Sequence, residues 1–234
     1  MSVHLTEEEQ LEVLKRWWKD YGKTVITGIV AAVVVYFAWT TWQEKQHSKA
    51  ESASVQYDEL IKILNVEQGK TLTDADKANA EHIANELKEK NGKSLYAQGA
   101  AFYLAKAAVD AGNLDKAVTE LRWILAGKPD LATAQLAHAR LARVYVAKGS
   151  YPEALAQLSE EPSKAFASEY SEVRGDILKA QGDKAAAATA YKKALETTDP
   201  QHQERAMVLQ MKIDELKTAE AAPAAAPATQ EKAQ

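Results

Sequence analysis

One stretch, Thr24–Trp42 (TVITGIVAAVVVYFAWTTW), limits the folds open to this chain more than any other. It holds no charged side chain, and the uncharged run extends to Gln43. Val, Ile, Ala and Phe fill its centre. At about 1.5 Å per helical residue it reaches roughly 28 Å, close to the hydrocarbon thickness of a bilayer. Aromatic residues mark both ends: Trp17, Trp18 and Tyr21 precede the run, and Tyr36, Trp39 and Trp42 close it. Rings with one polar edge favour the headgroup level. The pattern predicts a single transmembrane helix, because a buried helix of a soluble protein rarely gathers aromatics at both ends.

Lys and Arg near the ends set its orientation. Lys15, Arg16, Lys19 and Lys23 come before the span, whereas the comparable stretch after it has Lys45 and Lys49. Acidic residues weigh little in this rule, so Glu7, Glu8, Glu9 and Glu12 do not reverse it. The expectation is an N-terminus in the cytoplasm and everything after Trp42 on the far side. A cleaved signal peptide is the rival, with Ser48-Lys49-Ala50 as a small-residue cleavage site. The apolar run exceeds the usual signal core of about 7–15 residues. Trp39 and Trp42 also resemble anchors, so an uncleaved signal anchor is expected. A lipoprotein anchor needs a cysteine, and the chain has none.

Beyond residue 43 there remain 191 residues, enough for one domain with a sizeable core. That part carries 25 basic and 28 acidic side chains, a net charge of −3. It has no basic footprint for nucleic acid. The absence of cysteine excludes a disulfide framework, a thiol nucleophile and a thiolate metal site. Ala, Leu, Glu, Lys and Gln dominate, which favours helix throughout. The predicted organisation is a cytoplasmic segment over 1–23, the anchor over 24–42, a helical domain over 43–218 and a disordered Ala/Pro tail over 219–234.

In the first segment, Thr6 and Glu9 have the spacing of a capping box that opens a short amphipathic helix. Gln43–Val66 is expected to be helical and to run on from the span, with Gly69–Thr71 as the break. The next helix covers Asp74–Lys90, capped by Thr73 or Asp74. It buries Ala80, Ile83, Ala84 and Leu87, and Asn91-Gly92 stops it. From Ser94 the chain repeats itself. Gly112, Gly149 and Gly182 lie 37 and 33 residues apart, and an alanine follows each by five: Ala117, Ala154 and Ala187. Periods of this size signal stacked helical hairpins. Glycine supplies the left-handed residue that ends a helix, and alanine lets two helices approach closely.

The pattern resembles the tetratricopeptide repeat. In the third unit Gly175, Leu178, Gly182, Ala187, Tyr191 and Ala194 fall at consensus places, Pro200 comes one residue late, and Arg174 stands where Leu is usual. Leu104, Gly112, Leu114, Ala117, Leu121 and Pro129 fit the first unit. Leu141, Tyr145, Gly149, Tyr151, Ala154 and Leu158 fit the second. The second unit's second helix is expected to be cut short by Pro162, with Ser163 starting another. A last helix over Gln201–Thr218, with Ala206, Leu209, Ile213 and Leu216 on one face, would cap the stack. The fold class is therefore all-α: one N-terminal transmembrane helix followed by a tetratricopeptide-like α-solenoid.

Nothing in the sequence suggests catalysis. His4, His47, His82, His138 and His202 include no helical metal pair, there is no phosphate-binding glycine loop, and no cofactor is called for. The chemistry left is recognition. In such a stack the first helix of each pair lines the concave surface. This makes Phe102, Lys106, Val109, Ala139, Arg143, Val146, Glu172, Asp176 and Lys179 the groove candidates. Mixed apolar and charged side chains there suit an extended or helical peptide. In the span, Thr24, Gly28, Ala31 and Ala32 are small residues that let a second helix approach.

An acidic-then-basic N-terminal segment containing Arg16-Trp17-Trp18-Lys19-Asp20-Tyr21-Gly22, one anchor and a degenerate repeat domain together resemble the bacterial YfgM family. The resemblance covers nearly the whole chain, most specifically the Arg-Trp-Trp segment and Tyr96–Leu125. It implies a single-pass inner-membrane protein with a periplasmic domain. It further implies an ancillary subunit of the SecYEG translocon that associates with the periplasmic chaperone PpiD and assists emerging, unfolded proteins. The alternatives are a membrane-tethered scaffold that binds one folded partner without chaperone activity, and an envelope enzyme with a cryptic site.

Overall fold

The computed structural model describes residues 7–65 and 71–221, and among them it holds nine α-helices and no strand. The expected Thr6 cap, the Gly69–Thr71 break except Thr71, His4 and the tail beyond residue 221 lie outside the described residues. Helix α1 is Glu7–Leu64, so the span and the helix after it form one continuous element as expected. The chain divides into two compact units, residues 1–55 and 56–234.

The first unit is helix α1 up to Val55. Its Ile26, Ile29, Val30, Val33, Val34, Val35 and Phe37 side chains are all exposed. Helix α1 is long and apolar enough to cross a membrane. Three of its threonines, Thr27, Thr40 and Thr41, bond back to carbonyls within the helix. Thr27 donates to the Lys23 carbonyl and Thr41 to that of Phe37, each at 2.8 Å. An unpaired hydroxyl in hydrocarbon would cost several kcal/mol, roughly, so this back-bonding suits a span. The terminal aromatics pack in pairs, Trp17 with Tyr21 at 6.1 Å and Trp39 with Trp42 at 5.4 Å between centroids.

The second unit opens with the last turns of α1 and continues through α2 (Asp74–Asn91), α3 (Leu95–Asp110), α4 (Leu114–Ala126), α5 (Leu131–Ala147), α6 (Tyr151–Ala156), α7 (Ala167–Ala180), α8 (Lys184–Glu196) and α9 (Gln203–Ala221). Thr73 caps α2 through a reciprocal box with Asp76. Ala80, Ile83, Ala84 and Leu87 are its buried face, as the spacing predicts. Hairpins α3–α4, α5–α6 and α7–α8 follow, and the core runs between them through Ala105, Leu121, Ile124, Leu141, Leu158, Val173 and Ile177.

Each hairpin turns through the same six-residue closure. Gly112, Gly149 and Gly182 have φ of 73°, 71° and 88°. The residue after each glycine donates its N–H back to a carbonyl five positions earlier: Asn113 to Ala108, Ser150 to Tyr145 and Asp183 to Leu178. This is the Schellman closure, which needs a left-handed residue and so selects glycine. The residue after the glycine is also the N-cap of the next helix. Asn113 and Asp183 accept from Lys116 and Ala186 N–H groups. Ala117, Ala154 and Ala187 are fully buried where the paired helices meet. In the third hairpin the contact is closer still. A Cβ on Gly175 would lie 2.5 Å from the Tyr191 ring, so only glycine fits there.

Three boundaries differ from expectation. Helix α6 stops at Ala156, well before Pro162; Ser150 makes no side-chain cap, and Pro152 stands in the first turn, where proline is well tolerated. Helix α7 starts at Ala167, with Ser163 only opening the turn that leads to it: the Phe166 N–H donates to the Ser163 carbonyl at 2.9 Å. Arg174, at the position where Leu is usual, is exposed and donates to the Leu158 carbonyl just past the end of α6 at 3.0 Å. Helix α9 begins at Gln203 and extends beyond Thr218 to Ala221. Its Leu209, Ile213 and Leu216 are buried against α8 residues Ala187, Tyr191 and Ala194, with Ala206 half-buried.

Candidate functional site

The first helices of hairpins one and two, α3 and α5, enclose an open apolar groove floored by α4. From α3 it takes Phe102, Ala105, Lys106 and Val109. Helix α4 contributes Leu114 and Leu121, and α5 contributes Arg140, Arg143, Val144 and Ala147. Its volume is about 360 Å³. That lies at the low end of the range for ligand pockets, roughly 300–1,000 Å³, and suits one or two side chains.

Four of the nine groove candidates, Phe102, Lys106, Val109 and Arg143, meet here. Val146 is half-buried and packs against the central core instead. Ala139 is fully buried, so no partner can reach it, which corrects its assignment to the groove. The residue beside it, Arg140, takes its place. The Arg140 guanidinium lies over the Phe102 ring at 4.6 Å from the centroid. Moving by one repeat period of 37 residues carries Phe102 onto Ala139. The real helix is turned by about one residue, or 100°, relative to that register. Counting from the glycines therefore misses Arg140. The signal available was its charge, three residues before Arg143 and so on the same face of α5.

The three candidates of the third unit are occupied by α9. Glu172 accepts from Arg205 at 2.7 Å and from Lys212 at 2.8 Å. Asp176 accepts from Lys212 at 2.8 Å and from the Tyr191 hydroxyl at 2.8 Å. Lys179 pairs with Glu215 at 2.7 Å. Burial alone would raise the Glu172 pKa, but Lys212, Arg205 and Arg143 outweigh it and hold the carboxyl below its usual value. Burial likewise disfavours the Lys212 cation, yet Asp176 and Glu172 push its pKa up. Helix α9 thus lies where a peptide would lie on an uncapped repeat.

In the span, Thr24, Gly28, Ala31 and Ala32 are all exposed on α1. No group of three or more His, Asp or Glu side chains that could hold a metal ion occurs among the described residues.

The fold defines a helical-repeat protein that carries one long apolar helix among the described residues. The tetratricopeptide repeat-like domain family matches residues 15–218. The chain is 31% identical over 216 residues to the ancillary SecYEG translocon subunit of Haemophilus influenzae, covering 92% of this chain and all of that one. Its likeness to the protein of the same name from Neisseria gonorrhoeae is 30% over 217 residues, covering 93% of this chain and all of the relative. For Escherichia coli it is 28%, covering 92% and 99%. No solved structure gives a significant match. The chain belongs to this tetratricopeptide-like family of ancillary translocon subunits, the YfgM family.

Proposed function

We propose that this chain is an inner-membrane interaction protein that associates with the SecYEG translocon and assists proteins emerging on the periplasmic side, together with a PpiD-like chaperone. The observation that carries this reading is end-to-end likeness to proteins named as ancillary SecYEG translocon subunits, apolar helix included. The Lys and Arg bias supports a cytoplasmic N-terminus and a periplasmic repeat domain. Labour is divided. The span, through Thr24, Gly28, Ala31 and Ala32, supplies part of the translocon contact. Tethering in the same bilayer raises the effective concentration of any second, weaker site. The groove around Phe102, Lys106, Val109 and Arg143 receives the periplasmic partner. The protein acts by binding, without a catalytic step.

Crosslinking in native membranes followed by mass spectrometry tests the association. SecYEG subunits are expected among the crosslinked products, and replacing Thr24–Trp42 with an unrelated span is expected to weaken that link while the repeats stay folded. A reporter active only outside the cytoplasm, fused after Leu216, is expected to be active. Full activity of a cytoplasm-only reporter at that site would sink the orientation and the periplasmic role with it.

A further inference from the structure

The groove between α3 and α5 has a one-sided chemistry. Its floor is apolar, and its three ionisable lining residues, Lys106, Arg140 and Arg143, are all cations. Two of them already have carboxylates. Lys106 pairs with Asp110 and Arg143 with Glu169, both at 2.6 Å. Arg140 has no ion pair or hydrogen bond among the described residues; its contact is the face of Phe102. A guanidinium stacked on a ring has lost little freedom still to lose, and its fork of donors matches a carboxylate.

We propose that this groove binds a partner segment in which a large apolar side chain sits next to a carboxylate. The apolar side chain fills the cavity over Leu114 and Leu121, and the carboxylate meets Arg140. This rests on reading the groove as the surface that receives a partner. A basic segment would bring like charge against Arg140, the one lining cation with no carboxylate paired to it, which disfavours it. The chain's own C-terminal stretch, residues 219–234, offers Ala, Pro, Thr, Gln, Glu and Lys but no large apolar side chain to fill the cavity.

The full chain, reconstituted in lipid nanodiscs, can be titrated against fluorescein-labelled nonapeptides and followed by anisotropy, with empty nanodiscs as blank. One peptide has a phenylalanine flanked by two aspartates. In the second the aspartates become lysines, and in the third the phenylalanine becomes glycine. The first is expected to bind at least about tenfold more tightly than either other, the size of one charge-assisted contact at roughly 1.4 kcal/mol per decade. Arg140→Glu is expected to reverse the order of the first two, and Arg140→Lys to keep it. Equal binding of the acidic and basic peptides, or an unchanged order in Arg140→Glu, overturns the proposal. A dimer of the chain that Arg140→Glu dissociates would assign the groove to a second copy and also overturn it. Translocon crosslinking of the same variants separates the two readings. Intact crosslinks with no peptide preference sink the groove chemistry alone, and lost crosslinks with the preference retained sink the translocon reading alone.

Discussion

Hairpins one and three present equivalent helices to the concave side, yet one face is open and the other is shut. On α3 and α5 the charged residues stand at the edge of an unfilled apolar groove. On α7 the matching residues, Glu172, Asp176 and Lys179, are tied to Arg205, Lys212 and Glu215 of α9. The sequence motif is alike in both places. What decides whether a concave position can receive a partner is the next element in the chain, here a capping helix that carries complementary charges. The unfilled concave surface therefore lies between α3 and α5 and not on α7.

The largest effect that would break this comparison is at Glu172. Its side chain is only 12% exposed and joins cations from α5 and α9. Glu172→Ala leaves Arg205 without its carboxylate and Lys212 with Asp176 alone, and is expected to destabilise the unit by about 3 kcal/mol in urea unfolding. A midpoint equal to the parent's would show that α9 is held without the Glu172 ion pairs. Next comes the hairpin contact. Ala187→Leu is expected to cost roughly 1–3 kcal/mol by overpacking a position with no exposed surface.

Acid sharpens the contrast further. The Glu172 pKa is depressed in the folded state, so its contribution is fully present above the ordinary value of 4.5 and is lost as pH falls through the lower, folded value. The stability gap between parent and Glu172→Ala is expected to close in that acidic window, as read by unfolding midpoints across pH 2–6, roughly. The smallest effect belongs to the open face. Arg140→Ala, at an exposed position with no ion partner, is expected to shift stability by less than about 0.5 kcal/mol. A larger loss would mean that the Phe102 stack is part of the scaffold and not of a binding surface.

Local chemistry made much of this fold legible. Gly112, Gly149 and Gly182 with the alanines five residues on define the hairpins, and Thr73 defines the start of α2. These features act over a few residues and leave a local trace. Contacts across the stack leave none. Lys212 meets Glu172 from 40 residues away, so the shut face of α7 could not be read from α7 itself. Ala139 fails for a related reason. A repeat period fixes which helix faces the groove but not its rotation, and one residue of rotation exchanges Ala139 for Arg140. Ser150 is a residue type that favours caps, yet its side chain makes no cap bond at the start of α6; type alone did not reveal that this one goes unused.

The turns at Gly112, Gly149 and Gly182 contain no spare residue. The position that closes one helix opens the next, so an insertion there forfeits the end of one helix or the start of the other. Length must vary elsewhere. The spacings of 37 and 33 between these glycines differ through helix length, α4 and α5 being longer than α6 and α7, while the joining loops at the opposite edge of the stack vary from four residues (α4 to α5) to ten (α6 to α7). One edge of the solenoid is a row of fixed hinge pins; the other is where loops can lengthen, sequences can drift and new binding elements can be inserted without disturbing the groove.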